Sequence, residues 1–247
     1  MRQDDFDSSP VVMWYGKIPA MGDFVRRRMP EPILLPWERW FSSGVSQIRS
    51  PSKTAGANMP SSPVHAWGFL MSLPQGGVQA GAVMPSQDRV GREYLVCALV
   101  PLDADQSQRV RLPVLASMVE QLGLTLQQGV RFCWAATQLD QTLCSAVPYA
   151  GLLADSVAAK SQQRDAGQDI LDVLYGSQAP SVSQDPWAVL QPCLEPGSHR
   201  SYWWCLGMNN PSWRSVTHSG ELSLALFRRL FVSATAADAE SRAYQPW

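Results

Sequence analysis

The sequence predicts an α/β fold: a single-domain sandwich in which a mostly antiparallel central sheet is covered by helices on both faces. Three observations predict it. The patterning runs strand, helix, three strands, several helices, two strands, helix, which is not the alternation of a doubly wound parallel sheet. The links between the runs at 65–72, 78–84 and 94–100 are too short for crossovers, so those strands pair antiparallel. Tyr94-Leu95-Val96-Cys97-Ala98-Leu99-Val100 is apolar on both sides, as a central strand with a layer over each face requires.

The elements follow in order. Residues 1–10 form a polar tail, and Val11 to Tyr15 a short first strand. Pro30, Pro32 and Pro36 hold the next stretch extended, and Pro36 suits the first turn of a helix. From there Trp37, Trp40, Phe41, Val45 and Ile48 recur at intervals of three and four, one apolar face of that helix. Residues 50–63, rich in Ser, Pro, Gly and Ala, read as a surface loop. The three strands come next, with Pro74-Gln75-Gly76-Gly77 turning the first into the second. Leu115, Val119, Leu122 and Leu126 mark an amphipathic helix over about 111–128, and a further helix is one reading of 132–148. Residues 155–168 and 178–186 read as loops around a short helix at Ile170 to Tyr175. Ser201 to Leu206 is a strand, Asn209-Asn210-Pro211 a turn, and Trp213 to Thr217 its hairpin partner. Ser219 is placed to cap a last helix carrying Leu222, Leu226 and Leu230. No repeat or linker divides the chain, so the expectation is one domain, 11–233, with tails at 1–10 and 234–247.

A 247-residue chain with 45% hydrophobic content has ample material for a large core. Its net charge of -1 provides no field to attract nucleic acid or an anionic membrane. No signal-peptide pattern opens the sequence and no run approaches the length of a membrane span, so a cytoplasmic protein is expected. The five cysteines, Cys97, Cys133, Cys144, Cys193 and Cys205, are odd in number, widely spaced and form no C-x-x-C pair. Cys97, Cys133 and Cys205 lie in apolar runs. They read as reduced, mostly buried thiols.

The usual catalytic signatures are missing. There is no Walker loop, no G-x-G-x-x-G, no nucleophile elbow and no H-E-x-x-H. His65 sits in an apolar strand and reads as a core residue; His199 and His218 read as solvated turn residues. No cofactor, metal or enzymatic activity is expected. Chemistry concentrates instead in two polar loops. The first is Gly16-Lys17-Ile18-Pro19-Ala20-Met21-Gly22-Asp23-Phe24, followed by the basic run Arg26-Arg27-Arg28. The second is Pro85-Ser86-Gln87-Asp88-Arg89-Val90-Gly91-Arg92, joining two strands. Asp88 either pairs with Arg89 or Arg92 and merely fixes the turn, or leaves one guanidinium fork for an external carboxylate or phosphate. Asp23 is either a turn former or part of that polar surface. Arg26 to Arg28 are either a solvated run or a patch for an acidic partner.

The first loop resembles the G-K-[LI]-P-x-x-G-D-F signature of the TagF (ImpM) family. Trp37-Glu38-Arg39-Trp40 fits the W-[DE]-x-W that follows it, and the second loop is similar to that family's P-S-x-D-R-V-G-R. Ser201-Tyr202-Trp203-Trp204 is similar to a later S-x-W-W segment. The likeness is strong over about 12–101. It departs at Glu93-Tyr94-Leu95-Val96, where the family continues with an aromatic and Pro-Leu, and no motif of the family falls within 130–200. The resemblance implies a non-catalytic accessory protein of the bacterial type VI secretion system. Such proteins repress apparatus assembly post-translationally, in some systems through the forkhead-associated scaffold protein. Some relatives carry a PP2C-like phosphatase domain, for which this chain is too short. Lys17, Asp23, Arg26, Asp88, Arg89 and Arg92 would be the partner-binding residues. Two other readings compete with it. One is an enzyme-like protein with a phosphate or small-ligand site at Asp23, Arg89 and Arg92; the other is a structural subunit of the apparatus.

Overall fold

The computed structural model describes residues 11–49, 65–74, 76–147, 149–153, 188–195, 197–206 and 215–232. The loop expected at 50–63, the elements expected between 155 and 186, the turn at 209–211 and both tails lie outside the described residues.

Among the described residues, seven strands form one sheet in the order β2-β1-β5-β4-β3-β6-β7. They are β1 (Met13–Gly16), β2 (Val25–Arg27), β3 (Trp67–Ser72), β4 (Val78–Gln87), β5 (Glu93–Leu102), β6 (Arg200–Cys205) and β7 (Ser215–Ser219). Every pairing is antiparallel. The helices are α1 (Glu31–Arg49), α2 (Ala104–Arg109), α3 (Leu112–Arg131), α4 (Ala136–Ser145), α5 (Tyr149–Leu152), α6 (Gln191–Leu194) and α7 (Leu224–Phe231).

Strand alternation splits the core in two. On one face Trp14, Ala82, Val96 and Ala98 pack with Leu115, Val119 and Leu122 of α3 and Leu139 of α4. On the other, Tyr15, Phe69, Cys97, Leu99 and Trp203 pack with Trp37, Trp40 and Phe41 of α1 and Phe227 and Phe231 of α7. The sheet is therefore covered on both faces, as the double-sided apolarity of β5 requires. Trp37 and Trp40 are core residues. Trp37 Nε1 donates to Gln79 Oε1 at 3.0 Å and Trp40 Nε1 to the Ser223 carbonyl at 2.8 Å, so neither indole is buried without a partner. Gly44 lies where α1 meets α7: a Cβ there would overlap the Phe227 ring.

Several expectations are corrected. The stretch 31–36 is helical, not extended. Ile33 N and Leu34 N both donate to the Pro30 carbonyl, which opens α1. Pro32 sits in the first turn, where no N–H is needed, and Pro36 sacrifices one bond on an exposed side. Ser223, not Ser219, caps α7: its Oγ accepts from Leu226 N at 3.2 Å, while Ser219 ends β7. Strands β4 and β5 run on to Gln87 and Glu93, so Pro85, Ser86 and Gln87 are strand residues and the turn shrinks to its tip. His65 precedes β3 and is half-buried, and His218 is a residue of β7. Cys133 is exposed at the end of α3, with a left-handed φ of 52°. Arg26 to Arg28 keep contact with water, but Arg26 and Arg27 belong to strand β2 and Arg28 pairs with Asp140.

Candidate functional site

The two polar loops converge on one end of the sheet. Their convergence follows from strand order, because β1 and β4 both pair with β5. The first loop leaves the C-terminal end of β1 while the second joins β4 to β5, so both emerge at the same edge. Gly16 makes the approach possible. Its φ is 144°, and a Cβ there would overlap the Leu95 carbonyl and Val96 Cα. Lys17 N then donates to Leu95 O at 3.1 Å, which lays the first loop on β5.

Asp88 is the hub. Its side chain is fully buried. Oδ2 accepts Lys17 Nζ at 2.8 Å and Arg92 Nε at 2.6 Å; Oδ1 accepts Val90 N at 3.1 Å and Arg92 N at 2.9 Å. Gly91, at φ 80°, closes the turn by donating its N–H to Asp88 O. Burial alone would raise the carboxyl, but the bonds from Lys17, Arg92 and the two backbone amides outweigh it and hold the group well below the usual carboxylate range. Two contacts lock the loops together directly. Arg89 N donates to Met21 O at 2.9 Å, and Arg92 Nη2 to Gly22 O at 2.8 Å.

Aromatic rings floor the site. Lys17 Nζ lies 4.9 Å from the Phe24 ring centroid. Phe24 stacks on Tyr15 at 5.7 Å and meets Tyr94 edge-on at 4.8 Å. Tyr94 OH and Ser42 Oγ of α1 are 3.0 Å apart. Burial pushes the phenols of Tyr15 and Tyr94 up.

Of the residues singled out in the sequence, Lys17, Asp88 and Arg92 are thus brought into one ion-pair cluster. Arg89 is exposed at the tip of the turn, and among the described residues no group bonds to its guanidinium. Asp23 is exposed beside Gly22. Arg26 is exposed on β2, opposite Tyr15, and shares no bond with the cluster. Sequence reasoning passed over the apolar rim: Met21, Phe24 and Val90 are 40%, 47% and 68% exposed. Their signal was available, since apolar side chains stand at the tips of polar loops.

A second cluster was not foreseen. Arg28, at φ 54°, donates Nε to Val12 O at 2.7 Å and Nη1 to Asp140 Oδ2 at 3.0 Å. Trp14 Nε1 donates to Asp140 Oδ1 at 2.7 Å. This clamp ties the β1–β2 hairpin, which carries the first loop, to α4. The Arg28 bonds, with that of Trp14, lower the Asp140 carboxyl against its partial burial.

Comparison with known proteins agrees with the loops. Residues 13–146, more than half of the chain, match the TagF N-terminal domain, described as type VI secretion system-associated. The chain belongs to the TagF family. Both loops fall inside the matched span, as do Trp14, Arg28 and Asp140 of the clamp. Among solved structures, the chain is similar to the crystal structure of PA0076 from Pseudomonas aeruginosa PAO1, with a TM-score of 0.58 and 24% identity over 90% of this chain and 94% of that one. At that identity the likeness carries the fold alone. No curated protein matches. Among the described residues, no helix of this TagF family member is long and apolar enough to cross a membrane.

Proposed function

We propose that this type VI secretion-associated protein is a non-catalytic, cytoplasmic repressor of apparatus assembly that acts by binding the forkhead-associated scaffold protein. Its docking surface is the edge where the two TagF loops meet. One observation carries the reading. The two loops are joined through a buried carboxylate, and the surface so built presents a guanidinium that none of the described residues uses, rimmed by exposed apolar side chains. Such a mixture of arginine and large apolar groups around a rigid centre is what protein interfaces favour.

The test is retention of the scaffold protein on immobilised wild type and Arg89→Ala, with a melting curve for each. Among the described residues none bonds to the Arg89 side chain, so the variant should melt with the wild type yet lose the scaffold. In a secreting strain, overproduced wild type should silence secretion and Arg89→Ala should not. Equal retention by both proteins would remove the docking assignment.

A further inference from the structure

Gly22 is flanked by two guanidinium groups. Arg92 Nη2 bonds to its carbonyl at 2.8 Å, and a Cβ placed on it would lie 3.8 Å from Arg89 Nη2. The two arginines are differently employed. Arg92 spends Nε on Asp88 and one Nη2 hydrogen on Gly22, and among the described residues its Nη1 bonds to nothing. Arg89 has its whole fork available. The charges do not cancel. Asp88 is one anion against Lys17 and Arg92, Arg89 adds a further cation, and Asp23 is the exposed anion beside them. Within the bonded centre itself, Lys17 and Arg92 are two cations against the one anion Asp88. Among the described residues, none bonds to the Arg89 fork. Around this positive centre stand Met21, Phe24 and Val90, all substantially in water.

We propose that this surface takes an acidic, apolar-flanked segment of its protein partner, with one partner carboxylate gripped between Arg89 and the free edge of Arg92. Planar carboxylates match guanidinium forks, and two forks at one residue fix position as well as charge. The rim supplies the water-excluding contact that makes such a pair count. The inference rests on the docking reading, since it says what chemistry the docked partner brings, but it does not require that the partner be the scaffold protein.

The experiment probes the full chain against arrayed overlapping peptides that cover the scaffold protein and the other apparatus components. In parallel, intact scaffold protein is titrated by calorimetry. The peptides retained should be rich in Asp and Glu beside Leu, Ile or Phe. Arg89→Glu should weaken them by about 100-fold or more, and Arg89→Lys, which keeps the charge and loses the fork, by about tenfold. Raising salt should weaken binding in the wild type and scarcely matter in Arg89→Glu. Neutral or basic retained peptides, equal retention by Arg89→Glu, or an array that retains nothing would each overturn the proposal. Acidic peptides from another component, with no heat from intact scaffold, would uphold it and remove the scaffold reading instead. A melting curve matching wild type separates lost binding from lost structure.

Discussion

Asp88 and Asp140 are two carboxylates held in the same manner, each by a basic side chain from a distant part of the chain, yet water reaches only one of them. The Asp88 side chain is 0% exposed and its partner Lys17 10%; Asp140 is 21% exposed and Arg28 33%. Asp88 accepts four bonds, all from the two loops it joins. Asp140 accepts from Arg28 and from Trp14, and joins a hairpin to a helix. Burial, more than geometry, sets what an ion pair does. Losing one member of the dry pair strands an opposite charge away from water. Losing one member of the wet pair lets solvent take its place. The first is therefore the centre on which the surface depends, and the second a brace.

The sharpest way to break this comparison is to neutralise each aspartate in turn. Asp88→Asn keeps an acceptor for the backbone amides but leaves Lys17 buried beside an amide, so it should lower Tm by about 10 °C. It should also weaken partner binding, because the charged centre that joins the loops is lost and only the bonds to Met21 O and Gly22 O still hold them together. Lys17→Met should cost less, since Arg92 still answers the carboxylate. The double variant should cost less than the sum of the two, because no charge is stranded. A strictly additive double variant would mean that Lys17 and Asp88 act independently.

Asp140→Asn is the matching test on the wet side. The amide oxygen can still accept from Trp14 Nε1, while the charge and one acceptor for Arg28 are lost. The expected cost is on the order of 1 kcal/mol, about 2–4 °C in Tm for a chain of this size. Asp140→Ala should cost more, because the indole N–H of Trp14, which is fully buried, then loses its acceptor.

Acid sharpens the comparison further. Both carboxyls are depressed in the fold. Each therefore contributes stability that is fully present above the unfolded carboxylate value of about 4, and that is lost as pH falls through the folded value. The Tm difference between wild type and Asp140→Asn should close as pH falls below ~4. The difference for Asp88→Asn should persist to more acid conditions, because more and drier bonds hold that group. Parallel closure of the two differences would contradict the ranking.

What could be read from the chain follows the same division between local and distant forces. The strands other than β2 and the faces of α1 and α3 were legible because apolar runs and a 3.6-residue period are local. The turn at Asp88–Arg92 was legible because acid, base and glycine stand within five residues. Other signals were local and still missed. Asp103 and Gln106 form a capping box that opens α2, with Gln106 N donating to Asp103 Oδ1 at 2.8 Å. The start of α1 was hidden by three prolines whose positions in the first turns are harmless. Distant partners left no mark at all. Lys17 is 71 residues from Asp88 and Arg28 is 112 from Asp140, so only the strand order, itself a tertiary result, brings them together.

The smallest effect is also the most specific. Cys144 Sγ sits 3.2 Å from Arg28 Nη2, beside the clamp, and is half-buried. Cys97 and Cys193 are buried, and desolvation pushes their thiols up to about 12 and about 11, so neither should react with iodoacetamide in the native protein. Exposed Cys133 should react first. The informative residue is Cys144, followed by peptide mapping. In Asp140→Asn the guanidinium loses its anion and the side chain is freer to swing away, so Cys144 labelling should rise a few-fold. In Asp88→Asn, well below its lowered Tm, the rate should match wild type. Faster labelling of Cys144 in both variants would mean that disturbance of the loops reaches α4 and that hub and brace form one cooperative unit. An unchanged rate in both would mean that Arg28 holds its place through Val12 alone.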